Sequence, residues 1–315
     1  MKILFITTKS KFKQGDLLEL SILNGLRSVL GSNCIDYPKK KIMYHDFSES
    51  PKNTLHGKGF TLLTHKIADL SQDQRFICDI DAILYGCGHM YGEGRAPELE
   101  KYCDNIWFLD GHDLYGNAPK KIFHDGESII ATQFTKCFKR ELVEQNLLDV
   151  YPTGFGIPTH RIMPIKLNNK TQMFQKTAPD NCLFKTVNDL GGGFKHHIFS
   201  EEKSYYEDLS SSWFGLTCKK GGWDCLRHYE IIASGALLLF KDYDRKPEYC
   251  SPQNLPCDSY TTDSQLKKIV SDYIVDGKPT KKYVDALLKQ REWLIQHGTT
   301  EARALKILKT INEKL

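Results

Sequence analysis

The stretch KKGGWDCLRHYEIIASGALLLF, residues 219–240, decides how this chain of 315 amino acids is read. Beyond its two glycines, Leu226, Tyr229 and Ala233 recur on one helical stripe, and Ile231 and Ile232 widen it until most of the surface is apolar. The spacing predicts a largely buried helix from about Cys225 to Gly235, a residue type that ends helices, and then a buried strand, ALLLF. Arg227, Glu230 and Ser234, at i, i+3 and i+7, share the one narrow polar face. A carboxylate and a guanidinium in such surroundings need partners, because an unpaired buried charge is costly or changes its protonation state. Either the two pair with each other across one turn, or they face an opening. In the second arrangement Glu230 accepts hydrogen bonds from ligand hydroxyls, while Arg227 and the N–H groups at the helix start meet phosphate oxygens. Gly221 and Gly222 suit that arrangement, since a backbone without Cβ lets a diphosphate approach the helix end closely.

Outward from this stretch the chain alternates strand and helix. KILFIT (2–7) is a continuous apolar run, as in a strand covered on both faces, and Leu17, Leu18, Ile22, Leu26, Val29 and Leu30 then recur at helical spacing up to Gly31. DAILYG (81–86), NIWFLDG (105–111), KIFHDG (121–126) and SIIATQF (128–134) are further strand candidates, which predicts an α/β domain with a mostly parallel sheet over roughly residues 1–155. Residues 151–172 hold three prolines and two glycines without periodicity and read as a linker. A second, smaller α/β domain follows over about 175–260, with CLFKTV, HHIFS, a helix around EEKSYYEDLSSS and the strand WFGLT. Three amphipathic helices complete the chain from Ser264 onward.

Composition narrows the function. With 40% hydrophobic residues the chain buries a sizeable core, and 43 basic against 39 acidic residues, with Lys39-Lys40-Lys41 as the densest basic run, is a poor footprint for nucleic acid. Ten cysteines are scattered with no C-x-x-C pair, which points to reduced thiols in the cytoplasm rather than to zinc or a disulfide framework. No apolar run reaches the length of a membrane span, and MKILFITTKS turns polar too early for a signal peptide. A soluble, cytoplasmic protein is expected.

The segment GGWDCLRHYEIIASGALLLF resembles the donor site of GT-B glycosyltransferases, in which a glycine-containing loop precedes a helix bearing a Glu, a small residue and a Gly, and then a hydrophobic strand. KILFIT, FLDGHD (108–113), FKRELVEQNLLDVYPTGFGIP (138–158) and HGTTEARALKIL (297–308) agree with it, so the resemblance spans most of the chain. It implies an α/β fold of two Rossmann-like domains facing across a cleft, with C-terminal helices packing back on the N-terminal domain. Residues 1–158 would form the acceptor domain, 159–298 the nucleotide-sugar donor domain, and 299–315 a helix returning to the first. The implied activity is transfer of a hexose or pentose from a nucleotide sugar to a hydroxyl acceptor such as a glycan, with no metal or other cofactor. The family's ribose- or sugar-binding Glu falls on Glu230. Gly221, Gly222, Trp223, Arg227, His228 and Glu230 are the donor-binding candidates, joined by Lys139 and Arg140 as candidates for the phosphates. FLDGHD follows an apolar strand, and the carboxyl ends of parallel strands are where α/β domains hold ligands, so Asp110, His112 and Asp113 are the catalytic candidates, with Asp or His as base.

Three features compete. Asp242-Tyr243-Asp244 imitates the metal-binding D-x-D of the GT-A fold, although Asp79-Ile80-Asp81 shows the same spacing. Gly191-Gly192-Gly193, followed by Lys195, His196 and His197, is a candidate second phosphate loop. A non-enzymatic nucleotide-binding protein would keep the Gly221-Gly222 loop and need no polar cluster at FLDGHD.

Overall fold

The computed structural model describes residues 1–7, 17–44, 79–87, 100–113, 116, 122–124, 127–129, 136–145, 149–176 and 199–314. The chain forms two compact units. The first comprises Met1–Pro158, Pro247–Ser251 and Thr299–Leu315, and the second Thr159–Lys246 and Pro252–Gly298.

The first unit is built on β1 (Ile3–Ile6), β2 (Cys34–Tyr37), β3 (Ala82–Cys87) and β4 (Ile106–Asp110). A hairpin, β5 (Ile122–His124) and β6 (Glu127–Ile129), precedes β7 (Cys137–Lys139) and β8 (Val150–Pro152). Six of these strands make one parallel sheet in the order β2-β1-β3-β4-β7-β8. KIFHDG and SIIATQF therefore differ from expectation: their described parts pair antiparallel with each other, His124 opposite Glu127. Asp125-Gly126 between two short apolar runs is a two-residue hairpin signal, and it competes with the reading as two parallel strands. Helix α1 (Leu17–Leu30) ends at Gly31, whose φ of +58° is the left-handed cap conformation that glycine takes without strain. Leu4, Ile6, Ile83, Tyr85, Phe108 and Cys137 form the core.

The chain's final helix, α6 (Thr300–Asn312), packs on α1 in this unit. Gly25 lets the two backbones touch, since a Cβ there would lie 1.9 Å from the Thr300 carbonyl oxygen. The Thr300 hydroxyl donates to Asn24 Oδ1 (2.8 Å), and Arg303 Nε to the Phe155 carbonyl (3.0 Å). Of the three C-terminal helices only this last one belongs to the first unit.

The second unit carries a four-stranded parallel sheet in the order β12-β11-β10-β9, from β9 (Gln172–Phe174), β10 (Ser212–Cys218), β11 (Leu237–Lys241) and β12 (Asp258–Tyr260). Its helices are α2 (Glu202–Ser211), α3 (Leu226–Ala233), α4 (Asp263–Tyr273) and α5 (Lys281–Trp293), with a two-residue antiparallel pair, β13 (Ile274–Val275) and β14 (Lys278–Pro279), between the last two. Phe214, Leu216, Leu237, Leu239, Tyr273 and Tyr283 fill the core. Helix α3 sits tightly on the sheet because β10 has glycine at 215, where a Cβ would come within 2.2 Å of Ile231. Its carboxyl end is held by Arg291, which donates to the Ile232 and Ala233 carbonyls (3.1 and 3.3 Å), a cation where the helix dipole favours one. Lys170 gathers the carbonyls of Ser210, Ser212 and Gly235 at 2.6–2.9 Å, and burial, with the nearby Arg291 charge, pulls its ammonium down to about 8.

Candidate functional site

In the first unit the chemistry gathers where β4 and β7 end. Their parallel register sets Asp110 beside Lys139, so the last side chains of two neighbouring strands meet at the carboxyl edge of the sheet. Both are fully buried, and Lys139 Nζ donates to Asp110 Oδ2 at 2.8 Å. The other carboxylate oxygen accepts from the His112 backbone N–H (3.0 Å) and contacts His112 Nδ1 (2.9 Å). Burial alone would raise the Asp110 pKa, but the hydrogen bond from His112 and the Lys139 ammonium outweigh it and hold the carboxyl well below its usual range. Asp110 is therefore ionised in the folded chain at pH values where a free Asp, of pKa about 3.9, begins to protonate. The group stabilises the fold above that value, and this stabilisation is lost as the pH falls.

Asp110 thus makes a poor base and a good orienter. By accepting from Nδ1 it fixes the tautomer in which Nε2 carries the lone pair, and His112, with about a quarter of its side chain exposed, is the member of the cluster placed to take a proton. Asp113 is tied to the Arg140 guanidinium. Arg140 is itself buried: its Nε and Nη2 donate to the Gly111 carbonyl (3.2 and 3.0 Å), Nη1 lies 3.3 Å from buried Glu141, and the guanidinium covers the Phe155 ring at 4.8 Å. Lys139 and Arg140, expected beside donor phosphates, thus join Asp110, His112 and Asp113 in the first unit. Their charges brace the Gly111–Asp113 turn. A three-residue strand ending in Lys-Arg gave no hint of this, because the partners lie 27 and 29 residues away.

In the second unit Gly221 and Gly222 form a bend between β10 and α3. The helix begins from Cys225 in extended conformation, and the Cys225 side chain makes no capping hydrogen bond. His228 faces inward: Nδ1 meets the Thr217 hydroxyl (3.1 Å), Nε2 the Trp223 carbonyl (3.0 Å), and the ring packs on Phe240 at 4.7 Å. It pins the glycine bend to the sheet, leaving its ring no ligand-facing edge. Trp223 is buried, with Lys219 Nζ 5.9 Å from its ring centre. Buried Asp224, just ahead of the helix, accepts from the Tyr229 hydroxyl at 2.8 Å.

Arg227 and Glu230 do not form the ion pair that their i, i+3 spacing permits. Glu230 Oε2 instead accepts from the Tyr205 hydroxyl of α2 at 2.6 Å, and Arg227 Nη1 is buried with no hydrogen-bond partner among the described residues. Burial opposes the Arg227 charge, but the acidic groups around it, Glu230 among them, hold its pKa above its ordinary value, so it stays charged. Tyr205 was not foreseen, because a tyrosine in an acidic helix carries no mark of a partner 25 residues on.

Of the competing motifs, Asp244 and Asp81 spend their carboxylates on local hydrogen bonds. Asp242 takes the left-handed conformation (φ +57°), and Asp244 accepts from Ser259 at 2.6 Å. Asp81 accepts from the Lys2 backbone N–H at 2.6 Å. Gly191-Gly192-Gly193, Lys195, His196 and His197 lie outside the described residues, as does CLFKTV. Among the described residues no helix is long and apolar enough to cross a membrane.

No family model and no curated protein matches the chain. Solved structures do. The glycosyltransferase from Rickettsia africae ESF-5 matches with a TM-score of 0.51 at 11% identity, over 99% of this chain and 98% of that one. AviGT4, a glycosyltransferase involved in avilamycin A biosynthesis, matches with a TM-score of 0.51 at 10% identity, over 100% of this chain and 98% of that one. TarM gives a TM-score of 0.39 at 11% identity over 73% of this chain, which spans 54% of TarM's length; this weaker likeness carries no weight. The chain has the α/β fold of the first two glycosyltransferases, the fold that the resemblance to the GT-B class implies.

Proposed function

We propose that the protein is a cytoplasmic glycosyltransferase moving a sugar from a nucleotide-sugar donor to a hydroxyl group, a glycan hydroxyl being the acceptor that the family resemblance suggests. The observation that carries this is the buried, unpartnered Nη1 of Arg227 beside the glycine bend and the uncapped start of α3, with Glu230 one turn further in. A buried guanidinium N–H left unpaired costs on the order of 1–3 kcal/mol or more, which an anionic ligand recovers. A diphosphate supplies that anion, and Glu230 accepts a hydroxyl of the donor's ribose or sugar. In the first unit His112 Nε2 takes the proton of the acceptor hydroxyl. The acceptor oxygen bonds to the anomeric carbon, and the bond from that carbon to the diphosphate oxygen breaks, the electron pair leaving with the nucleotide.

Thermal-shift screening of UDP-, GDP- and ADP-linked sugars finds the donor, since a ligand of the folded state raises the melting temperature. Glu230→Ala is then expected to weaken the best of them by about 10- to 100-fold in calorimetry, from the loss of a charged hydrogen-bond acceptor, with the fold intact. Unchanged affinity removes Glu230 from the site. Transfer is expected to survive EDTA, because the Asp244 carboxylate is engaged by Ser259 and Asp242 contributes its left-handed backbone to the turn after β11. Loss of transfer, restored by magnesium or manganese, would return the D-x-D to the active machinery.

A further inference from the structure

We propose that Tyr205 is a positioning residue that keeps Arg227 and Glu230 from pairing with each other, and so holds both ready for a nucleotide diphosphate sugar. The proposal rests on the donor-site assignment above and adds a residue from another helix to it. Opposite charges at i and i+3 on a helix are neighbours and attract. In α3 that attraction does not close into a direct ion pair: the Arg227 Nη1 has no partner among the described residues, while Glu230 Oε2 accepts from the Tyr205 hydroxyl at 2.6 Å. A charge-assisted bond of this length competes well with an ion pair, and it directs the carboxylate toward α2.

The phenol is placed to do this. Its ring stands edge-on to Phe199 (6.1 Å, 60°) and Tyr206 (5.3 Å, 64°), so its plane is fixed by packing on both sides. Tyr206 is steadied in turn by the Arg161 guanidinium, 5.4 Å from its ring, and Arg161 pairs with Glu202 on the same helix. Burial, and then the Glu230 charge, raise the Tyr205 pKa well above its ordinary value, so the phenol keeps its proton and remains the donor at working pH. Tyr205→Phe removes one oxygen and preserves the aromatic packing. With the phenol's hold on Oε2 removed, the carboxylate turns toward Arg227, and the two charges satisfy each other before a donor arrives.

The test uses the full chain and the best-bound member of the UDP-, GDP- and ADP-linked sugar panel, titrated by calorimetry into wild type, Tyr205→Phe, Glu230→Gln and the double variant. Tyr205→Phe is expected to weaken binding about tenfold, the size of one charged hydrogen bond. Under turnover the loss falls on the donor KM rather than on kcat. The double variant is expected to bind no more weakly than Glu230→Gln, because Tyr205 acts on the donor through that carboxylate. The melting temperature of Tyr205→Phe should hold, since the new Arg227–Glu230 pair replaces the lost bond; a merely structural tyrosine would lower it and depress kcat and KM effects together. Wild-type affinity in Tyr205→Phe, with binding lost in Glu230→Gln, overturns the role of Tyr205 and leaves the donor site standing. Wild-type affinity in Glu230→Gln overturns the donor site itself, and this inference with it.

Discussion

Replacing His112 by Gln is expected to cut turnover by about 10²- to 10⁴-fold, the usual contribution of a positioned general base, while leaving nucleotide-sugar affinity within about twofold. His112 is the cleaner target of the dyad. Asp110→Asn removes the charge that orients the imidazole, but it also strands the Lys139 ammonium in a fully buried site, and breaking such a pair costs about 3–5 kcal/mol. A dead Asp110 variant would then report unfolding as readily as lost chemistry, so circular dichroism and a melting curve accompany it. His112 also hydrogen-bonds the buried Asp110 carboxylate through Nδ1, but a Gln amide can donate in its place, Lys139 keeps its counter-ion, and the backbone N–H bond to Asp110 survives substitution. Retained turnover in His112→Gln with a folded protein would remove the imidazole from proton transfer and turn attention to Asp113.

Gly25→Val is expected to lower the stability of the first unit by about 3 kcal/mol, the upper range for forcing extra carbons into a packed contact. For a unit of this size that corresponds to a drop of roughly 6–12 °C in melting temperature. A glycine inside a helix normally weakens it by about 0.5–1 kcal/mol against alanine. Here the contact explains why it stays: the obstructing atom is the Thr300 backbone carbonyl oxygen, which no rotamer change can clear. Ser28→Ala, at an exposed position of the same helix, is the control and should melt within about 0.5 kcal/mol of wild type. If Gly25→Val melted like the control, α1 and α6 could not be in backbone contact.

Long periodic or purely apolar segments were legible in the sequence. KILFIT, DAILYG, NIWFLDG, WFGLT and ALLLF are strands within a residue or two of expectation, and α1, α2, α3 and the three C-terminal helices stand where their spacing put them. Among the described residues the sheet strands missed are Cys34–Tyr37, Cys137–Lys139, Val150–Pro152, Gln172–Phe174 and Asp258–Tyr260, besides the two-residue pair β13–β14. The former are three or four residues long and mix polar with apolar side chains, so period and hydropathy have too few positions to act on. The site residues divide the same way. Local sequence places Arg227 and Glu230 on one face of a helix, but whether they pair depends on a tyrosine from α2. Lys139 looks like a solvated surface charge until its strand is laid beside β4, where the register makes it the counter-ion of Asp110.

The first unit draws its closing helix from residues 300–312, after the whole of the second unit has been written into the chain. During synthesis the polypeptide leaves the ribosome from its amino end, at about 5–20 residues per second. Until translation passes Thr300, the face of α1 around Gly25 lacks the helix it packs against, so the first unit is completed only after the second has been made. The later-made β10–α3–β11 module, contiguous in sequence, can settle while its predecessor still waits for its tail.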